Sequence, residues 1–531
     1  MLLTALFLAA AVIFLCIVCQ RVSSRLGVPM LLIFILLGMA FGSDGVVKIW
    51  FDDYPLAEQI CSTALIFIMF YGGFGTKWHE AKPVAPQAVL LSTMGVVITA
   101  GLTGLFCYGV LGLPFWESML LGSVVGSTDA ASVFSVLRSK KLNLRDHTAS
   151  LLEVESGSND PCAYMLTAVV LSVMNGTGSS GAILYTIFAQ VVYGAVGGVV
   201  LAFVALWALK HLKGLPEGFD TVLVVALVLF SYVLPAWIGG NGYLSTYLFG
   251  LLLGNHPQGV PGKKALVHFF DGITGLMQML IFFLLGLLSF PSHLPQVAVP
   301  GLLIALFLTF IARPAAVALV LTPFRCSWGQ QLLTAWSGLR GAASIVFAIM
   351  ATTDKAVLEG DIFHLVFFIV LFSITLQGTL LPPVARGLKM IDEDSNVLRT
   401  FSDYSEETPV QFVRLMISEG HPWVGKAVKN LSLPPNVLLA LVLRGNEHLI
   451  PDGSTVLLSG DAVIMSTLSP DENLHIHLFE YTVQKGDEWE GRPLSQSGGR
   501  LVVALRRGEK FIIPHGRTEP KEHDVLVLLE E

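Results

Sequence analysis

The chain has 531 residues, 53% of them hydrophobic and 13% charged, where a soluble globular chain carries roughly a quarter charged residues. That excludes an ordinary soluble enzyme. The charges also divide near residue 390: residues 1–389 hold 19 Lys+Arg and 17 Asp+Glu, whereas 390–531 hold 13 and 22, and so acidic a tail excludes nucleic acid as its partner because a phosphate backbone needs a basic surface.

Hydropathy predicts thirteen membrane spans, at about 2–20, 28–46, 57–74, 88–110, 115–137, 148–174, 182–209, 220–237, 243–255, 266–288, 296–321, 330–352 and 362–385. Only the ninth is short. Basic residues test the count, since they gather in cytoplasmic loops. With the N-terminus outside, the inner loops hold Arg21 and Arg25, Lys77 and Lys82, Arg138 with Lys140, Lys141 and Arg145, Lys210 and Lys213, Lys263 and Lys264, and Arg325. The outer loops hold only Lys48 and Lys355. Removing the ninth span would invert everything after it. The expected fold is therefore an all-α polytopic membrane protein in which an odd count leaves the tail in the cytoplasm. Met1–Ala5 lacks the basic stretch of a signal peptide. Cys16 and Cys19 lie on an apolar span without metal-ligand partners, so no metal or disulfide framework is expected.

An ionisable side chain at membrane depth costs at least about 2.5–3.5 kcal/mol, which makes each one a functional candidate. Span five carries Asp129, span six Glu153, Glu155, Ser156, Asn159 and Asp160, span eleven Arg313 and span twelve Arg340. Glu117, Arg138 and Asp271 lie near enough to span ends to snorkel. On span six, Glu155 and Asn159 share one helical stripe and Ser156 and Asp160 the next. Pro161 is expected to free the Gly157 carbonyl and kink the helix, with Gly157 easing the bend. Carboxylate, hydroxyl and carbonyl oxygens together suit a hard cation, and no His or Cys cluster points to a transition metal.

Spans five and twelve are each interrupted by small residues, Gly122, Gly126 and Ser127 in one and Ser337, Gly338 and Gly341 in the other. Seven spans apart, they cross in opposite directions, the mark of an inverted-repeat transporter with its site at the midplane. Arg340 needs an acid among Asp129, Glu153, Glu155 and Asp160. Pairing it with Glu155 leaves Asp160 free to exchange ions.

Ser127-Thr128-Asp129, Glu155-Ser156-x-x-Asn159-Asp160 and Gly338-Leu339-Arg340-Gly341-Ala342 resemble the signature motifs of NhaP-type monovalent cation:proton antiporters. The resemblance implies a thirteen-span fold with crossed broken helices in a core domain, a second, dimerising domain, elevator-like movement of the core, and a bacterial inner-membrane location. It implies that Asp160 binds ion and proton, that Thr128, Asp129 and Ser156 assist, and that Glu155 and Arg340 form a structural ion pair. Asn159, in place of a second aspartate, is the version associated with electroneutral exchange. Many relatives have an acidic residue where this chain has Tyr71.

The tail begins after a polar linker at 390–408. With an offset of 63, Arg444, Gly445, Ile450, Pro451, Gly453, Thr455 and Asp461 match Arg507, Gly508, Ile513, Pro514, Gly516, Thr518 and Asp524; Trp423 and Trp489 match at an offset of 66. Two small α/β modules are expected, at 409–470 and 471–531. The first resembles the C-terminal RCK (TrkA-C) domain through Gly425-Lys426-x-Val428, Ile450–Thr455 and Gly460-Asp461; the second is similar to the transporter-associated domain of CorC-type proteins. No Gly-rich dinucleotide fingerprint is present, so no cofactor is expected. A regulatory nucleotide or ion is a candidate ligand of the tail, with simple dimerisation the alternative, and His475-x-His477 reads as a solvated strand. RCK-type domains usually accompany potassium pathways, which makes potassium the leading cation and sodium the next. A tail-gated channel would need a Thr-Val-Gly-Tyr-Gly type filter, which the sequence lacks.

Overall fold

The computed structural model describes residues 3, 7, 10–18, 29–140, 142–211, 218–256, 260, 263–392 and 410–529, the last without 432, 434–436, 445–446, 469–477, 488, 495–501, 509, 513 and 515–517. Part of the first predicted span, most of the linker, Arg21, Arg25, Lys141, Lys213, His475 and His477 lie outside the described residues. The chain divides into two compact units, Met1–Ser405 and Glu406–Glu531.

The first unit is helical. Its elements are α1 (Met30–Phe41), α2 (Tyr54–Gly75), α3 (Trp78–Leu111), α4 (Phe115–Val124), α5 (Ala130–Ser139), α6 (Thr148–Met174) and α7 (Ser180–His211). They continue with α8 (Phe219–Trp237), α9 (Gly242–Gly254), α10 (Lys263–Leu288), α11 (Pro291–Phe324), α12 (Trp328–Trp336), α13 (Ala342–Thr353) and α14 (Ile362–Gly387). Among the described residues seven are both long and apolar enough to cross a membrane. The short ninth span is α9, whose 13 residues extend about 20 Å. It is held by close contact: a Cβ on Gly73 of α2 would lie 2.1 Å from the Tyr247 carbonyl, and one on Gly250 would lie 2.3 Å from that of Phe70. Only glycine permits this approach of two backbones.

α2 packs on α9 and α10, α1 on α10, and α7 on α9; α3 packs on α4, α4 on α6, and α11 and α13 on α14, while α13 also packs on α2 and joins the two sets. The second set holds both interrupted helices. α4 gives way to α5 across 125–129, and α12 to α13 across 337–341. α4 packs on α13, while α5 and Leu333 of α12 share one buried apolar cluster. The first half of each therefore lies beside the second half of the other, so the two cross in opposite directions. The breaks are joined directly, since Asp129 N–H donates to the Leu339 carbonyl at 2.8 Å.

α6 continues as one helix across Pro161, and Gly157 faces the Tyr247 ring, which a Cβ there would approach to 2.5 Å. One expectation is corrected. Glu117 does not snorkel; it is 4% exposed and accepts the backbone N–H groups of Glu359 and Gly360.

In the tail, two antiparallel four-stranded sheets share one strand order. The first is β1-β4-β2-β3, from Val410–Met416, Ala462–Leu468, Val437–Arg444 and Glu447–Leu449. The second is β5-β8-β6-β7, from Leu478–Thr482, Val525–Leu529, Val502–Arg507 and Lys510–Ile512. The sequence repeat is thus a structural repeat. Where α/β modules were expected, the described residues contain strands and 3-10 turns such as Val428–Asn430, and no α-helix.

Candidate ion-exchange site

A broken helix exposes orphan carbonyls at the end of its first half and orphan N–H groups at the start of its second. The site is built by the side chains that satisfy them. Asp129 caps α5: one oxygen accepts the Ala131 N–H at 2.9 Å, and the other accepts the Ser132 hydroxyl. The same carboxylate faces the start of α13, because a Cβ on Gly341 would lie 2.3 Å from Asp129 Oδ2. One acid thus sits at the positive ends of two half-helices, where the aligned peptide dipoles favour it.

Arg340 serves the opposite pole. Its Nη1 donates to the carbonyls of Gly126 at 3.0 Å and Ser127 at 2.6 Å, beyond the end of α4. Its backbone N–H is held by the Ser373 hydroxyl at 3.1 Å. The expected Glu155–Arg340 ion pair is corrected here: Glu155 is bound by Arg313, Nη2 to Oε1, at 2.6 Å, with both side chains buried. The physical reason is that the break supplies carbonyl acceptors for one arginine, which leaves the acid on α6 for the other.

α6 brings Ser156, Asn159 and Asp160 against the break. Ser156 is a pin: its hydroxyl accepts the Ala130 N–H at 2.8 Å and donates to the Thr128 carbonyl at 3.0 Å. Asn159 donates its amide N–H to Thr128 Oγ1, and its own carbonyl oxygen is buried without a hydrogen bond among the described residues. Asp160 is 6% exposed. Its Oδ1 accepts the Ser127 hydroxyl, and no donor among the described residues reaches Oδ2.

Hydrogen bonds join Thr128, Ser156 and Asn159, while Asp129 and Asp160 are held at the same break through Ser132 and Ser127, and their duties differ. Asp129 and Ser156 spend their oxygens on backbone and hydroxyl donors. Asp160 Oδ2 and Asn159 Oδ1 meet no donor among the described residues and Thr128 Oγ1 accepts from Asn159; oxygens of this kind suit a hard monovalent ion. Ser127 and Arg313 are the functional residues that sequence reasoning left without a role. A count of two membrane-depth arginines against one assigned acid was the signal for the second. Tyr71, at the position acidic in many relatives, donates its hydroxyl to Asp271 at 2.8 Å, so a carboxylate from α10 reaches the neighbourhood of that position.

Comparison with known proteins identifies the family. The model of the transmembrane sodium/hydrogen exchanger family matches residues 10–387, and that of the TrkA-C domain matches 412–473. The K(+)/H(+) antiporter NhaP2 of Shewanella oneidensis is 36% identical over 85% of this chain and 79% of its own length. The K(+)/H(+) antiporter NhaP of Alkalimonas amylolytica is 34% identical over 85% and 78%. The solved sodium proton antiporter MjNhaP1 of Methanocaldococcus jannaschii superposes with a TM-score of 0.63 at 26% identity, covering 71% of this chain and 99% of that one. The chain belongs to the transmembrane sodium/hydrogen exchanger family, and it is a multi-pass cation/proton antiporter rather than an enzyme.

Proposed function

We propose that the chain exchanges potassium for protons, one for one, at Asp160. The carrying observation is that Asp160 is buried where two helix breaks meet, with one oxygen held by Ser127 and the other free of donors among the described residues. A single carboxylate can hold a proton or a cation but not both, and loading with either neutralises it. A bare charge in a dry interior is costly, so the empty core crosses poorly and the two flows are coupled. Asn159, Thr128 and Asp129 complete the site, Asp129 through its caps. The likeness to two relatives named as potassium/proton antiporters supports potassium; the likeness to a sodium proton antiporter keeps sodium as the second reading.

In this reading the chain crosses a bacterial inner membrane thirteen times with its N-terminus outside. It works as a homodimer whose α3–α6 and α11–α14 group moves against the rest, and its two tail modules regulate exchange from the cytoplasm. The test is dissipation of a proton gradient in everted vesicles on adding KCl, NaCl or LiCl. Wild type should respond most to KCl. Asp160→Asn and Asp160→Ala should respond to none, and cation-dependent proton flux in either variant would remove Asp160 from its role.

A further inference from the structure

The last described stretch of the membrane unit, at the end of α14, is fastened to the loop between α5 and α6. After α14, Lys389 adopts the left-handed conformation at φ 57°, and Met390 N–H closes back on the Ala385 carbonyl at 3.0 Å. This turn ends the helix and redirects the chain. The next residues then pair with the loop between α5 and α6. Leu144 and Ile391 form an antiparallel bridge, Arg145 N–H donates to the Met390 carbonyl at 2.9 Å, and Asp392 N–H donates to the Asn143 carbonyl at 3.0 Å.

The side chains repeat the bond. Met390 is 4% exposed and lies in a buried cluster with Val133 and Leu137 of α5, Leu152 of α6, Leu333 of α12 and Leu339 of the second break; Leu144 and Ile391 pack on its edge. α5 starts at the Asp129 cap, and α6 carries Ser156, Asn159 and Asp160. The clamped loop is the covalent joint between them.

We infer that Met390–Asp392, seated on residues 143–145, is the joint through which the tail acts on the Asp160 site. A pull or twist on the linker moves 390–392, the bridge carries the loop with it, and α5 shifts against α6. The cation-binding oxygens are contributed from both sides of that contact, by Thr128 just before α5 and by Asn159 and Asp160 on α6. Packed elements switch between discrete arrangements rather than deforming smoothly, so a small displacement suffices. This rests on the reading that the tail regulates exchange.

The experiment uses full-length protein in everted vesicles and a double-mutant cycle. The tail is perturbed by Asp461→Ala with Asp524→Ala. The joint is broken by Asp392→Pro, which removes the N–H given to Asn143 while the preceding residue is already extended; Ile391→Gly is the second variant should the first not reach the membrane. The tail change should alter potassium-dependent exchange by at least about fivefold in the wild-type background, the lower range of an allosteric coupling, and leave exchange unaltered in either joint variant. An equal change in both backgrounds would overturn the joint while keeping tail regulation. No change in the wild-type background would overturn tail regulation and the joint with it. Amide hydrogen exchange at Arg145 and Asp392 should also rise when the tail is perturbed in the otherwise wild-type protein, and unchanged protection would count against the joint.

Discussion

An arginine–carboxylate pair anchors each half of this protein, and the halves build it differently. In the membrane unit Arg313 and Glu155 are 2% and 1% exposed and share one contact of 2.6 Å, while Glu155 Oε2 and Arg313 Nε have no hydrogen bond among the described residues. In the tail Arg444 binds Asp461 in two parallel contacts, Nε to Oδ1 and Nη2 to Oδ2, each 2.8 Å, and also donates to the Val456 carbonyl at 2.8 Å. Arg507 repeats this on Asp524 and the Glu519 carbonyl, with all three positions 63 residues on. The tail arginines are about one-third exposed. An arginine that loses its partner in the tail still finds water, although Asp461 and Asp524 are themselves 1% and 3% exposed; beside α6 neither partner does. The lesson is that the less completely hydrogen-bonded pair is the more consequential one, because burial sets the penalty for breaking it.

The sharpest way to break that comparison is Arg313→Ala. It should cost about 3–5 kcal/mol by leaving Glu155 buried and unpaired, seen as a large fall in melting temperature of purified protein or as loss from the membrane. Arg313→Met combined with Glu155→Leu should recover most of the loss. A lone Arg313→Ala that melts with wild type would show that water reaches Glu155. Next in size is Arg340→Ala, expected to cost about 1–3 kcal/mol by stranding the Gly126 and Ser127 carbonyls. A double-mutant cycle separates the two arginines. Arg313 with Glu155 should couple by about 0.5–3 kcal/mol, whereas Arg340 with Glu155, which attract through space without a hydrogen bond, should couple less. The reverse pattern would restore the ion pair that the motifs suggested.

What could be read from the sequence follows the same division. The breaks at 125–129 and 337–341 were legible because Gly, Ser and Thr interrupt apolar runs, and the inward residues of α6 because helical spacing sorts them. The arginine partners were not, since charge balance compares side chains only. The acceptors that claimed Arg340 are backbone carbonyls, which a broken helix creates without any mark in the side-chain list. Gly157 was visible, but its close approach to the Tyr247 ring was not, because that contact lies across an interface. Glu117 was misplaced likewise, its partners being N–H groups 242 and 243 residues away. The tail's repeat was plain at a fixed offset, and its strand order follows from it. The clamp at 390–392 left no sequence signal, since a two-bond bridge between backbones requires no particular side chain.

The smallest expected effect sharpens the comparison from the tail's side. Asp461→Asn keeps the shape but removes the charge, and with its arginine partly hydrated the loss should be about 1 kcal/mol or less. The pH dependence carries the sign. The Arg444 hydrogen bonds hold the Asp461 carboxyl below the usual carboxylate range, so the folded module binds its proton less readily than the unfolded chain. This contribution is therefore complete above the unfolded value of about 3.9 and is lost as pH falls further through the folded one. Burial pushes Asp524 up, but the Arg507 contacts together with the Lys521 N–H and charge outweigh it and leave that carboxyl lowered too, so both modules should weaken together. In full-length protein the tail's unfolding transition should be level from about pH 6 to 5 and fall below about pH 4, and Asp461→Asn should flatten that fall by its own share. If the variant falls as steeply as wild type, the pair contributes nothing to acid sensitivity, and the repeated arginines are there for geometry alone.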